Sequence, residues 1–181
     1  MRLFIAVDCP PPVKDMLSNA QDGLKKCGDL KAVEYENLHL TLKFLGEVSA
    51  AKAEDAKKAL EEVEHPRFPV TLKGAGVFPN PGNAKVVWAG VDKGFDEFVE
   101  LAKTVDSRLK TIGFPPESRF HPHVTLARVK GRLDRGRLNA FLASHSEALF
   151  GSYEVDSFHL MESRLTPKGP AYTRVLSLSL R

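Results

Sequence analysis

Residues 38–44, Leu-His-Leu-Thr-Leu-Lys-Phe, alternate apolar and polar side chains without a break. Successive side chains of a strand leave opposite faces, so this alternation predicts a strand with one face in a core. Leu38, Leu40, Leu42 and Phe44 form the inward set, and His39, Thr41 and Lys43 the outward set. The pattern returns over residues 123–129, His-Val-Thr-Leu-Ala-Arg-Val, where Val124 and Leu126 point inward and His121, His123 and Thr125 point outward. Strict alternation puts Arg128 with the inward residues, so it reaches the outward face only where the strand twists, bulges or ends. Two near-copies of His-x-Thr-x, each preceded by a helix and an extended segment, predict an internal duplication.

Outward from these strands, Arg2–Asp8 reads as a buried strand, and Pro11 and Pro12 suit the first turn of a helix. Val13, Met16, Leu17, Ala20, Leu24 and Cys27 give that helix one apolar stripe, with Gly28 as its terminator. Ser49 is placed to cap a second helix, from Ala50 to Glu64, whose stripe is Ala53, Ala56, Leu60 and Val63. Two strands within 68–91 are joined by Pro79–Gly82. A third helix spans 93–110, a short one 134–143, and strands cover 148–162 and 171–180 around a loop holding Ser163, Pro167, Lys168 and Gly169. The mixture predicts an α+β fold of one bilobal domain over 1–181, with motif strands at 38–44 and 123–129. No dinucleotide-binding glycine fingerprint and no phosphate loop ending in Gly-Lys-Ser/Thr occurs.

A chain of 181 residues, 43% hydrophobic and 27% charged, buries enough surface to need neither disulfides nor a structural metal. A formal charge of +3 excludes a highly charged nucleic-acid tail, yet is compatible with a local basic groove. Cys9 and Cys27 are too few for a disulfide framework and read as buried small hydrophobes. The run Leu3–Val7 is too short for a signal core or a membrane span, which points to the cytoplasm.

Imidazole titrates near neutrality, so two histidines facing one cleft supply an acid and a base at one pH. His39 and His123 are the candidates, with Thr41 and Thr125 as hydroxyl partners and Lys43 as a cation. This set suits transfer at phosphorus: one histidine deprotonates the nucleophile, the other protonates the leaving oxygen, and the remaining groups hold the nonbridging oxygens. A cyclic phosphodiester fits well because its leaving oxygen stays tethered. A single histidine beside a threonine in a strand is ordinarily structural; the repetition in phase argues otherwise. Each copy offers one histidine and a neutral hydroxyl, short of the three or four ligands a zinc site takes, so no metal is expected. No nucleophile-elbow pattern supports a covalent triad. His65, His145 and His159 read as supporting or surface residues.

The segments RLFIAVD, ENLHLTLKFLGEV, GVFPN, KVVWAGV and FHPHVTLARVK, in this order, resemble the two-histidine phosphoesterase superfamily. The resemblance is nearest to the archaeal and bacterial RNA 2′,3′-cyclic phosphodiesterases, also called 2′–5′ RNA ligases. It implies two similar α+β lobes whose antiparallel sheets line a central groove, with helices outside. It implies hydrolysis of a terminal 2′,3′-cyclic phosphate to a 2′-phosphate without cofactor, or reversible ATP-independent joining in a 2′–5′ bond. On this chain it makes His39 the general acid and His123 the general base, with Thr41, Thr125 and Arg128 on the phosphate. Phe78 and Tyr172 correspond to base or rim contacts. The implied partner is RNA with a cyclic-phosphate end, tRNA fragments included, acted on by a monomer with no membrane association. A nonenzymatic RNA-binding module, or a phosphodiesterase for small cyclic nucleotides or 2′–5′ oligonucleotides, are the alternatives.

Overall fold

In the computed structural model, which describes residues 1–181, the first apolar run is strand β1 (Arg2–Asp8), with Leu3–Val7 all buried. Pro11 and Pro12 open helix α1 (Pro11–Leu24), where a missing N–H leaves no helical bond unmade. A 3₁₀ turn over Lys25–Cys27 stops at Gly28, whose φ of 131° suits only glycine. Helix α1 buries Val13, Leu17, Ala20 and Leu24, but Met16 stays 46% exposed and Gln21 lies inside instead. Hydrogen bonding decides the exchange: Gln21 Nε2 donates to the Val33 and Leu126 carbonyls, both at 2.8 Å, and so ties α1 to the second motif strand.

The chain continues as β2 (Gly28–Ala32), β3 (His39–Glu47), α2 (Ala50–Glu61), β4 (Phe68–Phe78), β5 (Val86–Val91) and α3 (Phe95–Lys110). It ends with β6 (His123–Leu133), α4 (Arg135–Ser144), β7 (Leu149–Val155), β8 (Ser157–Thr166) and β9 (Gly169–Ser179). Ser49 caps α2 by accepting the Lys52 N–H, and Asp134 caps α4 by accepting the Arg137 N–H. The motif strands are longer than the alternation indicated, because each runs on past its histidine-threonine pair.

All strands join one nine-stranded antiparallel sheet in the order β7-β4-β5-β6-β3-β1-β8-β9, with β2 on β6. The motif strands β3 and β6 are neighbours at its centre and meet through the pair Leu40 and Val124. Helix α1 follows β1 yet packs on β6 and β7, while α3 follows β5 yet packs on β3. The apolar faces of the strands and helices form one core, in which Phe98, Leu101, Leu109 and Phe158 are wholly buried. Each such side chain contributes about 1.5–3 kcal/mol relative to exposure.

The C-terminal strands differ from the sequence expectation. The stretch 148–162 is not one strand: it breaks at Asp156, and its two parts lie in opposite halves of the sheet, β7 on β4 and β8 on β1. Ser163 is inside β8, and the β8–β9 turn narrows to Pro167 and Lys168. Pairing partners distant in sequence decided this, and side-chain alternation is blind to them.

Candidate active site

Both motif strands carry a bulge at the same point. Along β1 and β3 the register passes from Ala6 opposite Thr41 to Ile5 opposite Lys43, leaving Leu42 as the extra residue. Along β5 and β6 it passes from Trp88 opposite Thr125 to Val87 opposite Ala127, leaving Leu126 extra. An extra residue reverses the alternation that follows it. Lys43 and Ala127 therefore turn into the core, and Phe44 and Arg128 turn out into the groove.

This geometry corrects the assignment of Lys43. Its side chain is buried, with Nζ 2.6 Å from Asp106 Oδ1 of α3 and 2.8 Å from the Pro115 carbonyl. Two of the ammonium's three N–H donors are engaged there and its side chain is 4% exposed, so it is not placed to hold a phosphate. Asp106 also accepts the Glu117 N–H, at 3.1 and 3.2 Å to its two oxygens, so the ion pair holds the loop from Pro115 to His121 against α3. Phe44, read as a core residue, is instead a groove residue 67% exposed. Arg128 reaches the groove through the bulge.

The two histidines are held alike. His39 Nδ1 lies 2.6 Å from the Asn37 carbonyl, and His123 Nδ1 lies 2.7 Å from the His121 carbonyl. A carbonyl only accepts, so each Nδ1 carries the hydrogen and each Nε2 is the nitrogen left for chemistry. His39 Nε2 is 2.8 Å from Thr41 Oγ1, which donates to the neutral ring and accepts from the charged one. Asn37 is itself fixed by donating Nδ2 to the Pro170 carbonyl at 2.9 Å. β3 and β6 pair only at Leu40 and Val124, and each histidine immediately precedes its own strand's member of that pair, so the two imidazoles flank the junction from opposite sides.

Aromatic rings brace both imidazoles. Phe4 stacks on His39 with centroids 5.1 Å apart, and Tyr172 meets it edge-on at 5.4 Å. Phe78 meets His123 edge-on at 5.0 Å, with Trp88 behind. Phe78 is the last residue of β4 rather than a loop residue, and both Phe78 and Tyr172 line the groove. Burial is the main force lowering both histidine pKa values below the ordinary 6.5. The carbonyl bonds oppose it, while the Arg128 guanidinium pushes both further down.

The groove encloses about 810 Å³, and Arg2, Lys31, Arg119, Arg128 and Lys130 line it against Glu34 and Glu117. A modest whole-chain charge is thus concentrated where an anion would sit. No three His, Cys, Asp or Glu side chains come together in a way that could hold a metal ion, and no helix is long and apolar enough to cross a membrane. Sequence reasoning missed Phe4, Phe44 and the loop held by Asp106, and the carbonyls of Asn37 and His121 leave no signal in a sequence. Phe44 alone had a signal, as an aromatic at the position that Arg128 occupies in the second copy.

The family description "LigT like Phosphoesterase" matches the chain twice, over residues 7–88 and 90–172, with one motif histidine in each stretch. An RNA 2′,3′-cyclic phosphodiesterase of Archaeoglobus fulgidus is 41% identical over 95% of this chain and 96% of its own length. A crystal structure from Thermus thermophilus superposes with a TM-score of 0.86 at 33% identity, covering 100% of this chain and 98% of that one. Escherichia coli LigT in complex with 3′-AMP gives a TM-score of 0.77 at 29% identity, covering 99% and 97%.

Proposed function

This chain belongs to the LigT-like phosphoesterases, the family of RNA 2′,3′-cyclic phosphodiesterases, and from that premise we propose a residue-level account of its reaction. It hydrolyses the terminal 2′,3′-cyclic phosphate of RNA to a 2′-phosphate. One observation carries the acid–base reading: two imidazoles, each pinned through Nδ1, present Nε2 to one cationic groove beside threonine hydroxyls. The order of roles, His39 as acid and His123 as base, follows the family resemblance. His123 Nε2 removes a proton from water as its oxygen bonds to phosphorus. The P–O3′ bond breaks, and His39 Nε2–H gives its proton to O3′. Water and the cyclic diester are consumed, a 2′-phosphomonoester and a 3′-hydroxyl are formed, and the protein needs only to exchange one proton between its histidines through solvent.

Thr41, Thr125 and Arg128 hold the nonbridging oxygens as their charge grows. Thr41 follows the His39 proton, since its hydroxyl serves either state of that ring. Phe44, exposed on the groove beside Phe4 and at the far end of the antiparallel pair from Arg128, offers its face to the terminal base. Tyr172 and Phe78 contribute rim and bracing contacts. A 5′-hydroxyl in the water's place would give a 2′–5′ bond by the same proton transfers. The matched bulges and matched carbonyl bonds support a duplicated pair of lobes, with β3 and β6 at their junction. One chain supplies every group named, so a monomer suffices, with cyclic-ended tRNA fragments among its substrates; the free thiols of Cys9 and Cys27 fit a reducing, cytoplasmic location.

The test is turnover of a short RNA with a 2′,3′-cyclic end, in EDTA, for wild type, His39→Ala and His123→Ala. Wild type should release the 2′-phosphate, and each variant should lose about 10²–10⁴-fold in kcat, the worth of one acid or base. Full activity in either variant would overturn the assignment.

A further inference from the structure

Beyond the histidines, toward the β2–β6 end of the groove, lies a cluster of cations of which the reaction just described uses only Arg128. Lys31 of β2 is registered directly opposite Arg128 of β6, and both line the groove with Lys130. Like charges directly opposite across strands are destabilising, so this arrangement is explained by a polyanion whose successive phosphates the two cations hold. Lys31 has only Glu34, at 3.6 Å, and neither Arg128 nor Lys130 has an acidic partner within salt-bridge distance. Arg128 and Lys130 are two strand residues apart, about 6.7 Å. That spacing is comparable to the repeat of phosphates along an extended single strand.

The same end of the groove holds Leu165, 82% exposed near the tip of the β8–β9 hairpin. The hairpin is fixed against the turn that leads into β3 by the Asn37–Pro170 bond, and its Gly169 packs on Lys31 and Glu34. A side chain at Gly169 would place its Cβ 2.5 Å from Glu34 Oε1 and 3.0 Å from Lys31 Nζ, at a φ of 126°. Glycine therefore lets the hairpin close onto the Lys31–Glu34 pair. The exposed Leu165 side chain thus meets the cations of β2 and β6 beyond the reacting phosphate.

Resting on the RNA phosphodiesterase reading, we propose that this is a second nucleotide subsite. Lys31 and Lys130 hold the phosphodiester joining the terminal and penultimate nucleotides, and Leu165 packs on the penultimate base. The substrate is then a polynucleotide rather than a mononucleotide cyclic phosphate, and its strand leaves the active site across β2 and β6.

The experiment compares adenosine 2′,3′-cyclic phosphate with the dinucleotide ApA bearing a 2′,3′-cyclic phosphate. Wild type should show a KM for the dinucleotide about tenfold lower. In the double variant Lys130→Gln, Leu165→Ala, both at exposed positions and checked for an unchanged Tm, that preference should collapse to within about twofold. The dependence of log KM on log salt for the dinucleotide should also flatten by about 0.7, the worth of one single-strand phosphate contact. Equal KM for both substrates in wild type, or an undiminished preference in the variant, would overturn the subsite. Failure of wild type to turn over either substrate would instead overturn the phosphodiesterase reading, and the subsite with it.

Discussion

At the scale of single residues, the proposed roles need His39 charged and His123 neutral, while burial, first, and Arg128 lower both pKa values below 6.5. Lowering suits His123, which must accept a proton at neutral pH. It works against His39 until the substrate's negative charge arrives and favours the imidazolium. The alkaline limb of the pH profile, which reports loss of the His39 proton, should therefore lie at higher pH in kcat than in kcat/KM. Coincident limbs would show that bound phosphate does not act on His39. Arg128→Ala removes a positive neighbour from both rings, so both limbs of kcat/KM should move to higher pH. Its kcat should fall about 10²–10³-fold, the range for one charge-stabilising donor. Steady-state profiles of wild type and variant measure both effects.

At the scale of elements, the Lys43–Asp106 pair decides where the loop from Pro115 to His121 lies, and this loop ends at the carbonyl that orients His123. Removing one partner leaves a buried charge unmatched. Asp106→Asn should cost about 3 kcal/mol by urea unfolding, the low end for a buried pair because Asp106 keeps 19% side-chain exposure. Lys43→Met combined with Asp106→Leu should cost clearly less than either single change, since no lone charge remains; an additive loss would contradict that account. The alternation in residues 38–42 and 123–126 was legible because each side chain there obeys a period of two. Beyond them Lys43 exchanged faces with Phe44, and Arg128 was left in doubt, because a bulge is defined by a partner strand and not by the strand that carries it.

At the scale of the whole molecule, His39, His123 and His159 all bind their protons less readily folded than their ordinary value of 6.5 implies. The unfolded chain then takes up more protons as pH falls through about 6.5, so the stability these groups leave intact above that pH declines below it. The urea midpoint should drop between about pH 7.5 and pH 5, and the drop should shrink in a His39→Asn, His123→Asn variant; an unchanged drop would assign the acid sensitivity elsewhere. The amino-acid sequence by itself determined the α+β class, the helices with the Ser49 cap, the family, and the two strands that carry the His-x-Thr pairs. All of these rest on periodicity, capping and motif order, which are local properties of the chain. Only the tertiary structure decided that 148–162 divides between opposite halves of the sheet, that Lys43 is spent on Asp106, that Phe44 and Arg128 share the groove, and that Lys31 faces Arg128. Each of these depends on register between segments distant in sequence, where one extra residue moves every following side chain to the other face.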